Sequence, residues 1–164
     1  MPKILSIANT LLSVRGRMQI TDERGSSIYE AKGELALLSP TWRISRSEQE
    51  VATVRRKILS WAPTWMVHCG LDDFLIKRKL LSWTRQYYAR GGPYDGALIK
   101  GSLWDMSFEV LHGVNTVAVA TAKILSLRDR HNIEIFGEEE RDELFVVIAM
   151  VVLHLDRREA RRES

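Results

Sequence analysis

A short element that recurs about every 22 residues constrains the fold of this chain more than any other feature. Near copies of Lys-Ile-Leu-Ser-Trp stand at 57–61, 79–83 and 123–127, and weaker copies of Leu-Leu-Ser stand at 11–13 and 37–39. Clusters of Gly, Asp, Asn and Ser lie between the copies, and these residues favour tight turns. A period of this length with two turns leaves two strands of about five to seven residues, so each period predicts a β-hairpin.

The segments between the turns alternate as strands do. Apolar positions that share one predicted face are Ala52, Val54 and Ile58 in one segment and Phe74, Ile76 and Leu80 in the next, with charged residues on the other face. Eleven such segments centre on 18–21, 27–31, 41–45, 50–57, 64–69, 73–79, 86–89, 96–100, 107–111, 116–122 and 132–136, and 35–38 could supply a twelfth. The chain is therefore predicted to be a single domain over 1–164, mainly β, with its strands at about 12–136.

A helix predicted at about 139–157 follows the strands. Its run 144–153 is apolar on every side, which is typical of a helix that is enclosed all round. The run is too short to span a bilayer, which needs about 20 apolar residues. A barrel of about twelve strands is wider than its own side chains can fill, and a helix about 10–12 Å across would fill it. The sequence therefore predicts a closed antiparallel barrel around a central hydrophobic C-terminal helix.

The order of the hairpin copies, the segment Lys-Ile-Leu-Ser-Leu-Arg-Asp at 123–129 and an apolar helix that closes in Leu155 and Asp156 resembles the LURP-one-related family. That family belongs with the Tubby C-terminal-like proteins, and phospholipid scramblases are more distant kin. The resemblance extends from about Leu12 to Asp156. It implies a twelve-stranded closed barrel around a hydrophobic helix, as the periodicity does. Tubby-like domains bind phosphoinositide headgroups through basic residues and scramblase-like members act at membranes, so the resemblance implies a binding or membrane role.

Composition narrows the function classes. The net charge of +3 is too small to indicate a nucleic-acid binder, so no nucleic-acid partner is expected. Cys69 is the only cysteine, and the first residues lack the continuous apolar region of a signal peptide, so we expect a cytoplasmic location. The family resemblance adds the expectation of peripheral association with membranes. The four histidines are dispersed, and no nucleophile elbow or phosphate-binding loop is present. We predict no catalytic residue, no metal site and no cofactor.

Four basic residues are the candidate ligand-binding site for an anionic group: Arg55, Lys57, Lys77 and Lys79. Strand parity directs all four outward, and neighbouring hairpins would bring them together. Each cation near an anionic membrane contributes roughly 1 kcal/mol, which predicts weak and salt-sensitive attachment. The alternative is that they are only a solvated barrel exterior.

Other recurring residues receive structural interpretations. Arg56, Arg78 and Lys100 fall on the inward parity, and we expect them to lie at a barrel mouth and face the acidic segment 138–143. In the Leu-Ser element, Ser is expected to bond to backbone donors in a turn while Leu packs inward. The core is predicted to contain all five tryptophans, Trp42, Trp61, Trp65, Trp83 and Trp104.

Together these observations predict a non-enzymatic binding module. It would dock to anionic phospholipid, or to another phosphate-bearing ligand, through its outer basic residues. One alternative is a structural or interaction protein that binds a protein partner by its barrel surface, and another is a scramblase-like membrane-associated protein. Because a filled barrel has no lumen for a ligand, the outer face and the rims must carry the function.

Overall fold

The computed structural model describes residues 1–8, 16–34, 39–70, 72–102, 107–121 and 130–162. Within them, twelve strands form a closed barrel in which every neighbouring pair is antiparallel, and one helix follows. The elements are β1 (Lys3–Ala8), β2 (Arg17–Asp22), β3 (Ser27–Gly33), β4 (Thr41–Arg46), β5 (Gln49–Arg56), β6 (Thr64–Cys69), β7 (Asp72–Arg78), β8 (Gln86–Arg90), β9 (Leu98–Ser102), β10 (Ser107–His112), β11 (Asn115–Thr121), β12 (Arg130–Ile135) and α1 (Glu140–Arg162).

The predicted barrel is confirmed, and the eleven predicted strands correspond to β2–β12. The possible strand at 35–38 lies outside the described residues. The strand that completes the twelve is β1, which the sequence pattern did not predict. It closes the barrel by pairing with β2 on one side and β12 on the other. The hydroxyl of Ser6 donates a hydrogen bond of 2.9 Å to the side-chain oxygen of Asn132 across this closure.

Helix α1 fills the barrel. Residues 145–156 are all buried, which places every face of the helix against the inner side of the strands. Aromatic contacts tie it to the wall: the rings of Tyr94 and Phe145 stack with centroids 4.2 Å apart, and His154 meets the edge of Trp42 at 5.6 Å. The predicted central helix is therefore confirmed, and it extends to Arg162. Among the described residues, no helix combines the length and the apolar character needed to span a bilayer.

The barrel has two mouths, which we name from the direction of α1. At the upper mouth the helix begins, and Lys3 at the start of β1 pairs with Glu143. At the lower mouth the helix ends, and Arg78 at the end of β7 pairs with Asp156. Because neighbouring strands are antiparallel, all odd-numbered strands run from the upper mouth to the lower one. The loops that follow odd-numbered strands therefore lie together at the lower mouth.

This strand direction corrects one prediction. Arg56 and Arg78 do point inward at a mouth, but they bind Glu159 and Asp156 near the end of α1 rather than the acidic segment 138–143. The prediction was wrong because β5 and β7 end at the lower mouth, whereas α1 starts at the upper one. The prediction is also wrong for Lys100. Its neighbour Ile99 is fully buried, so Lys100 points outward, where its Nζ lies 3.9 Å from a carboxylate oxygen of Glu109.

Candidate functional site

Two loops at the lower mouth expose large apolar side chains to solvent. Loop 57–63 joins β5 to β6, and loop 79–85 joins β7 to β8. Trp61, Leu81 and Trp83 are fully exposed, and Leu59 is 89% exposed. Folded proteins seldom leave several large apolar groups together in water unless the surface binds something. We call six exposed residues of these loops the apolar tips: Ile58, Leu59, Trp61, Leu80, Leu81 and Trp83.

The apolar tips contradict two predictions. Trp42 and Trp65 are buried as predicted, but the prediction of core packing is wrong for Trp61 and Trp83, and Trp104 lies outside the described residues. The leucines of the Leu-Ser element do not pack inward in either loop, and Ile58 and Leu80 are exposed although strand parity assigned them to the core. The physical reason is that β5 and β7 end at Arg56 and Arg78, so strand alternation does not extend into the loops.

The serine of the element bonds to the backbone, but in the opposite sense to the prediction. The hydroxyl of Ser60 donates to the carbonyl oxygen of Ala62 at 2.8 Å, and the hydroxyl of Ser39 donates to the carbonyl of Arg56 at 2.7 Å. Both hydroxyls thus donate to backbone carbonyl oxygens, whereas the prediction had them accept from backbone N–H groups. These bonds give the first loop a defined shape at its base, so the apolar tips project from an ordered support.

Arg56 anchors the first loop to α1. Its Nε donates to both carboxylate oxygens of Glu159 at 3.0 and 3.1 Å. Its Nη1 donates to the carbonyl oxygens of Lys57 at 2.8 Å and Thr64 at 3.2 Å, which lie on the two sides of the loop. The guanidinium also lies over the ring of Trp65, 5.3 Å from its centroid. One arginine therefore holds both ends of the loop and ties them to the last turns of the helix.

Asp156 anchors the second loop. Its carboxylate is 1% exposed and accepts hydrogen bonds from Arg78 at 2.8 Å and from Arg85, at the far end of the loop, at 3.1 Å. The hydroxyl of Tyr87 donates to the same carboxylate at 2.6 Å. Burial, together with the negative charge of Asp156, raises the pKa of Tyr87, so the phenol remains a donor. Both exposed loops are therefore mounted on the end of α1.

The structure brings together three of the four predicted basic residues. Lys57 and Lys79 begin the two loops, directly before the apolar tips. Thr64 is the backbone partner of both Lys57 and Lys77, so these two lysines flank β6 about 10 Å apart. Within the described part of the chain, none of the three lysines has a carboxylate oxygen within 4 Å. Arg55 also points outward but lies farther from the lower mouth, in a separate groove.

Further positive charge at the lower mouth comes from the last turns of α1, which are not among the four predicted binding residues. These residues are Arg157, Arg158, Arg161 and Arg162. Their effect is evident at His154, where burial and the charges of Arg158, Arg157 and Arg161 lower the pKa to about 4. Arg158 also lies 5.9 Å from the ring centroid of Trp42. The rim of this mouth is therefore positively charged as well as apolar.

This arrangement places exposed apolar side chains next to positive charge. Over the described residues, no group of three or more His, Cys, Asp or Glu side chains is placed to hold a metal ion. The apolar tips project outward, beside lysines that no carboxylate of the described segments approaches within 4 Å. Such a surface can bury its apolar groups in a partner while its cations meet negative charge. A signal for it was present in the sequence: adjacent apolar residues, as in Ile58 and Leu59, break the alternation that strands require.

Comparisons with known proteins agree with this architecture. The family model described as LURP-one-related matches residues 3–154. An X-ray structure of a protein from Arabidopsis thaliana has a similar fold, with a TM-score of 0.67 and 19% sequence identity over 95% of this chain and 93% of that chain. At this identity the likeness concerns the fold alone. The comparison with curated proteins found no match.

Proposed function

The chain belongs to the LURP-one-related family, and we propose that it is a non-enzymatic module that docks to the surface of anionic membranes. The observation that carries the proposal is the pair of exposed loops at the lower mouth, with Trp61 and Trp83 in solvent and Lys57 and Lys79 at their bases. The apolar tips would enter the interface between headgroups and acyl chains. The lysines and the arginines at the end of α1 would meet the lipid phosphates.

The energies expected for such a surface are sufficient for reversible binding. Burying a large apolar side chain stabilises a complex by about 1.5–3 kcal/mol, and each nearby cation contributes about 1 kcal/mol at an anionic surface. The gain is reduced because the protein loses translational and rotational freedom on binding. Apolar insertion and electrostatic attraction are therefore both needed, and attachment should weaken as the salt concentration rises.

The charge distribution favours a membrane over a protein partner. A protein interface commonly excludes lysine from its core, whereas a membrane surface accepts lysines around an inserted apolar group. The tips also protrude, and a protruding surface fits a soft planar target better than a small phosphate-bearing ligand, which needs a concave site. The scramblase-like alternative would use the same surface but would in addition move lipids between leaflets.

Co-sedimentation with vesicles tests the proposal. The protein should pellet with phosphatidylcholine vesicles that contain phosphatidylserine, less so at high salt, and poorly with phosphatidylcholine alone. The double variant Trp61→Ala/Trp83→Ala and the triple variant Lys57→Glu/Lys77→Glu/Lys79→Glu should both lose binding. The single change Lys79→Glu should weaken binding. Its charge-matched control is Arg24→Glu, which should not, because Arg24 lies exposed in the β2–β3 turn at the upper mouth.

Three outcomes would separate the alternatives. Absence of wild-type binding to any vesicle would contradict the proposal and favour a protein partner for the apolar tips. Binding that is unchanged in the triple lysine variant would contradict the electrostatic part. Transfer of a labelled lipid between leaflets by the wild-type protein would support the scramblase-like alternative.

A further inference from the structure

A groove crosses the outer face of the barrel, away from the apolar tips. Its volume is about 440 Å³, which is within the range of ligand sites. Its central row consists of four residues in direct register across β5, β6, β7 and β8. These are Arg55, Met66, Leu75 and Arg90. An arginine therefore stands at each end of the row, and two apolar side chains form the floor between them.

The two arginines differ from others on the outer face. Arg17 pairs with Glu30, and Arg43 pairs with Glu34 and Glu50. Arg55 and Arg90, in contrast, have no carboxylate oxygen within 4 Å among the residues that the structure describes.

The floor between the two arginines is apolar and accessible. Met66 is 38% exposed, so a ligand can reach it. One carboxylate, that of Asp73, lines the groove beside the row, and it contacts Nδ1 of His68. The central row therefore presents positive charge at both ends of an accessible apolar strip, a pattern complementary to a ligand that is acidic at both ends and apolar in its middle.

We propose that this groove binds an extended peptide segment in which two acidic residues, four positions apart, flank a central apolar residue. The ends of the row are three strand spacings apart, about 14 Å. An extended chain advances about 3.3 Å per residue, so four residues span about 13 Å. Side chains at alternate positions share one face, so the first, third and fifth residues all point at the row. The acidic residues meet Arg55 and Arg90, and the apolar residue lies over Met66 and Leu75.

This peptide site uses different residues from membrane docking, although Arg55 and Leu75 lie only two residues before Lys57 and Lys77 on the same outer face. The probe is a fluorescein-labelled heptapeptide with Glu at its second and sixth positions, Leu at its fourth and Ser elsewhere, titrated with the full chain by fluorescence polarisation. Saturable binding is expected. One control peptide carries Lys in place of both Glu residues, and a second carries Glu at the second and fourth positions and Leu at the sixth. Both controls should bind about tenfold more weakly or not at all.

Protein variants locate the site. Arg55→Glu and Arg90→Glu should each weaken binding of the probe about tenfold, as should Met66→Asp on the floor. Arg24→Glu and Trp61→Ala/Trp83→Ala should bind the probe as the wild type does. Thermal melting identifies any variant that fails to fold, and the milder Arg55→Ala and Arg90→Ala changes then serve in its place.

The proposal is overturned by absence of saturable binding, by equal binding of the Lys peptide, or by binding that none of the groove variants weakens. It is also overturned if the groove variants lose vesicle binding while probe binding stays unchanged, because the groove would then be part of the membrane surface. Loss of vesicle binding in the Trp61→Ala/Trp83→Ala variant alone leaves the probe result unaffected, so the two proposals fail separately.

Discussion

The hydroxyl of Tyr87 donates a hydrogen bond of 2.6 Å to the carboxylate of Asp156, a residue 69 positions later in the chain. The same carboxylate accepts from Arg78 before the second exposed loop and from Arg85 at its end. The end of the enclosed helix thus holds the loop that carries Trp83. The fold and the candidate membrane surface are therefore mechanically connected, and the connection can be tested residue by residue.

Asp156→Asn should destabilise the protein by about 2–3 kcal/mol. Removing one partner of a buried ion pair costs about 3–5 kcal/mol, and the cost is smaller here because the side chains of Arg78 and Arg85 are 29% and 39% exposed and can be hydrated. Tyr87→Phe should cost about 1–2 kcal/mol, since the carboxylate keeps its arginines. Urea unfolding measures both, with Glu109→Gln on the exposed surface as a control. If Asp156→Asn were as stable as the wild type, the anchoring role of Asp156 would be contradicted.

Glu159→Gln should loosen the first loop without unfolding the barrel. The ion pair with Arg56 is partly exposed and worth about 0.5–1 kcal/mol, so cleavage by trypsin after Lys57 should become about two- to fivefold faster. The rate of appearance of the new fragment, followed by mass spectrometry, measures this. The thermal melting temperature should fall only slightly. Unchanged cleavage after Lys57 would show that Glu159 does not restrain the loop.

The four described tryptophans should divide into two classes. Trp65→Ala should cost about 3–5 kcal/mol, because its side chain is fully buried and leaves a cavity. Trp61→Ala and Trp83→Ala should change stability by no more than about 0.5 kcal/mol, since both rings are already in water. Urea unfolding of the single variants measures the difference. A large loss of stability in Trp83→Ala would mean that the second loop packs against the barrel after all.

His154 should make the protein less stable in mild acid. Its pKa is about 4 in the folded protein against an ordinary value of 6.5, so the unfolded chain takes up a proton first. Above pH about 6.5 His154 costs the protein no stability. As the pH falls from there towards 4, the free energy of unfolding decreases by up to about 3 kcal/mol. His154→Gln lacks this term, so its stability relative to the wild type should rise over the same range. If the free energies of unfolding of the wild type and of His154→Gln changed in parallel with pH, this role of His154 would be contradicted.

The barrel could be predicted from sequence because β2–β12 show the local signs of strands, namely alternation and turn residues between them. Strand β1 lacks the alternation, since the apolar residues Ile4 and Leu5 are adjacent. Its place depends on pairing with β12, and Ser6 and Asn132 are 126 residues apart. Local periodicity carries no information about such a closure. The helix was predictable because an all-apolar helix has few alternatives to being enclosed.

The candidate site was predictable only in part. The spacing of 22 residues between Lys57 and Lys79 indicated that these basic residues occupy equivalent positions in neighbouring hairpins. The apolar tips were missed because apolar residues that recur with the hairpins resemble core positions, and their exposure depends on where the last strand pair ends. The anchoring of Arg56 to Glu159 depends on the direction of α1 inside the barrel. That direction follows from tertiary structure, and charge complementarity alone suggested the wrong mouth.

Quenching of tryptophan fluorescence by lipids brominated in their acyl chains tests membrane docking through the apolar tips most directly. With anionic vesicles, the wild-type protein should be quenched, because Trp61 and Trp83 enter the bromine-containing layer. With Trp104 replaced by Phe in both proteins, the Trp61→Ala/Trp83→Ala variant should keep its fluorescence, since its remaining tryptophans, Trp42 and Trp65, stay inside the barrel. No quenching of the wild type, or equal quenching of the variant, would contradict insertion of these loops.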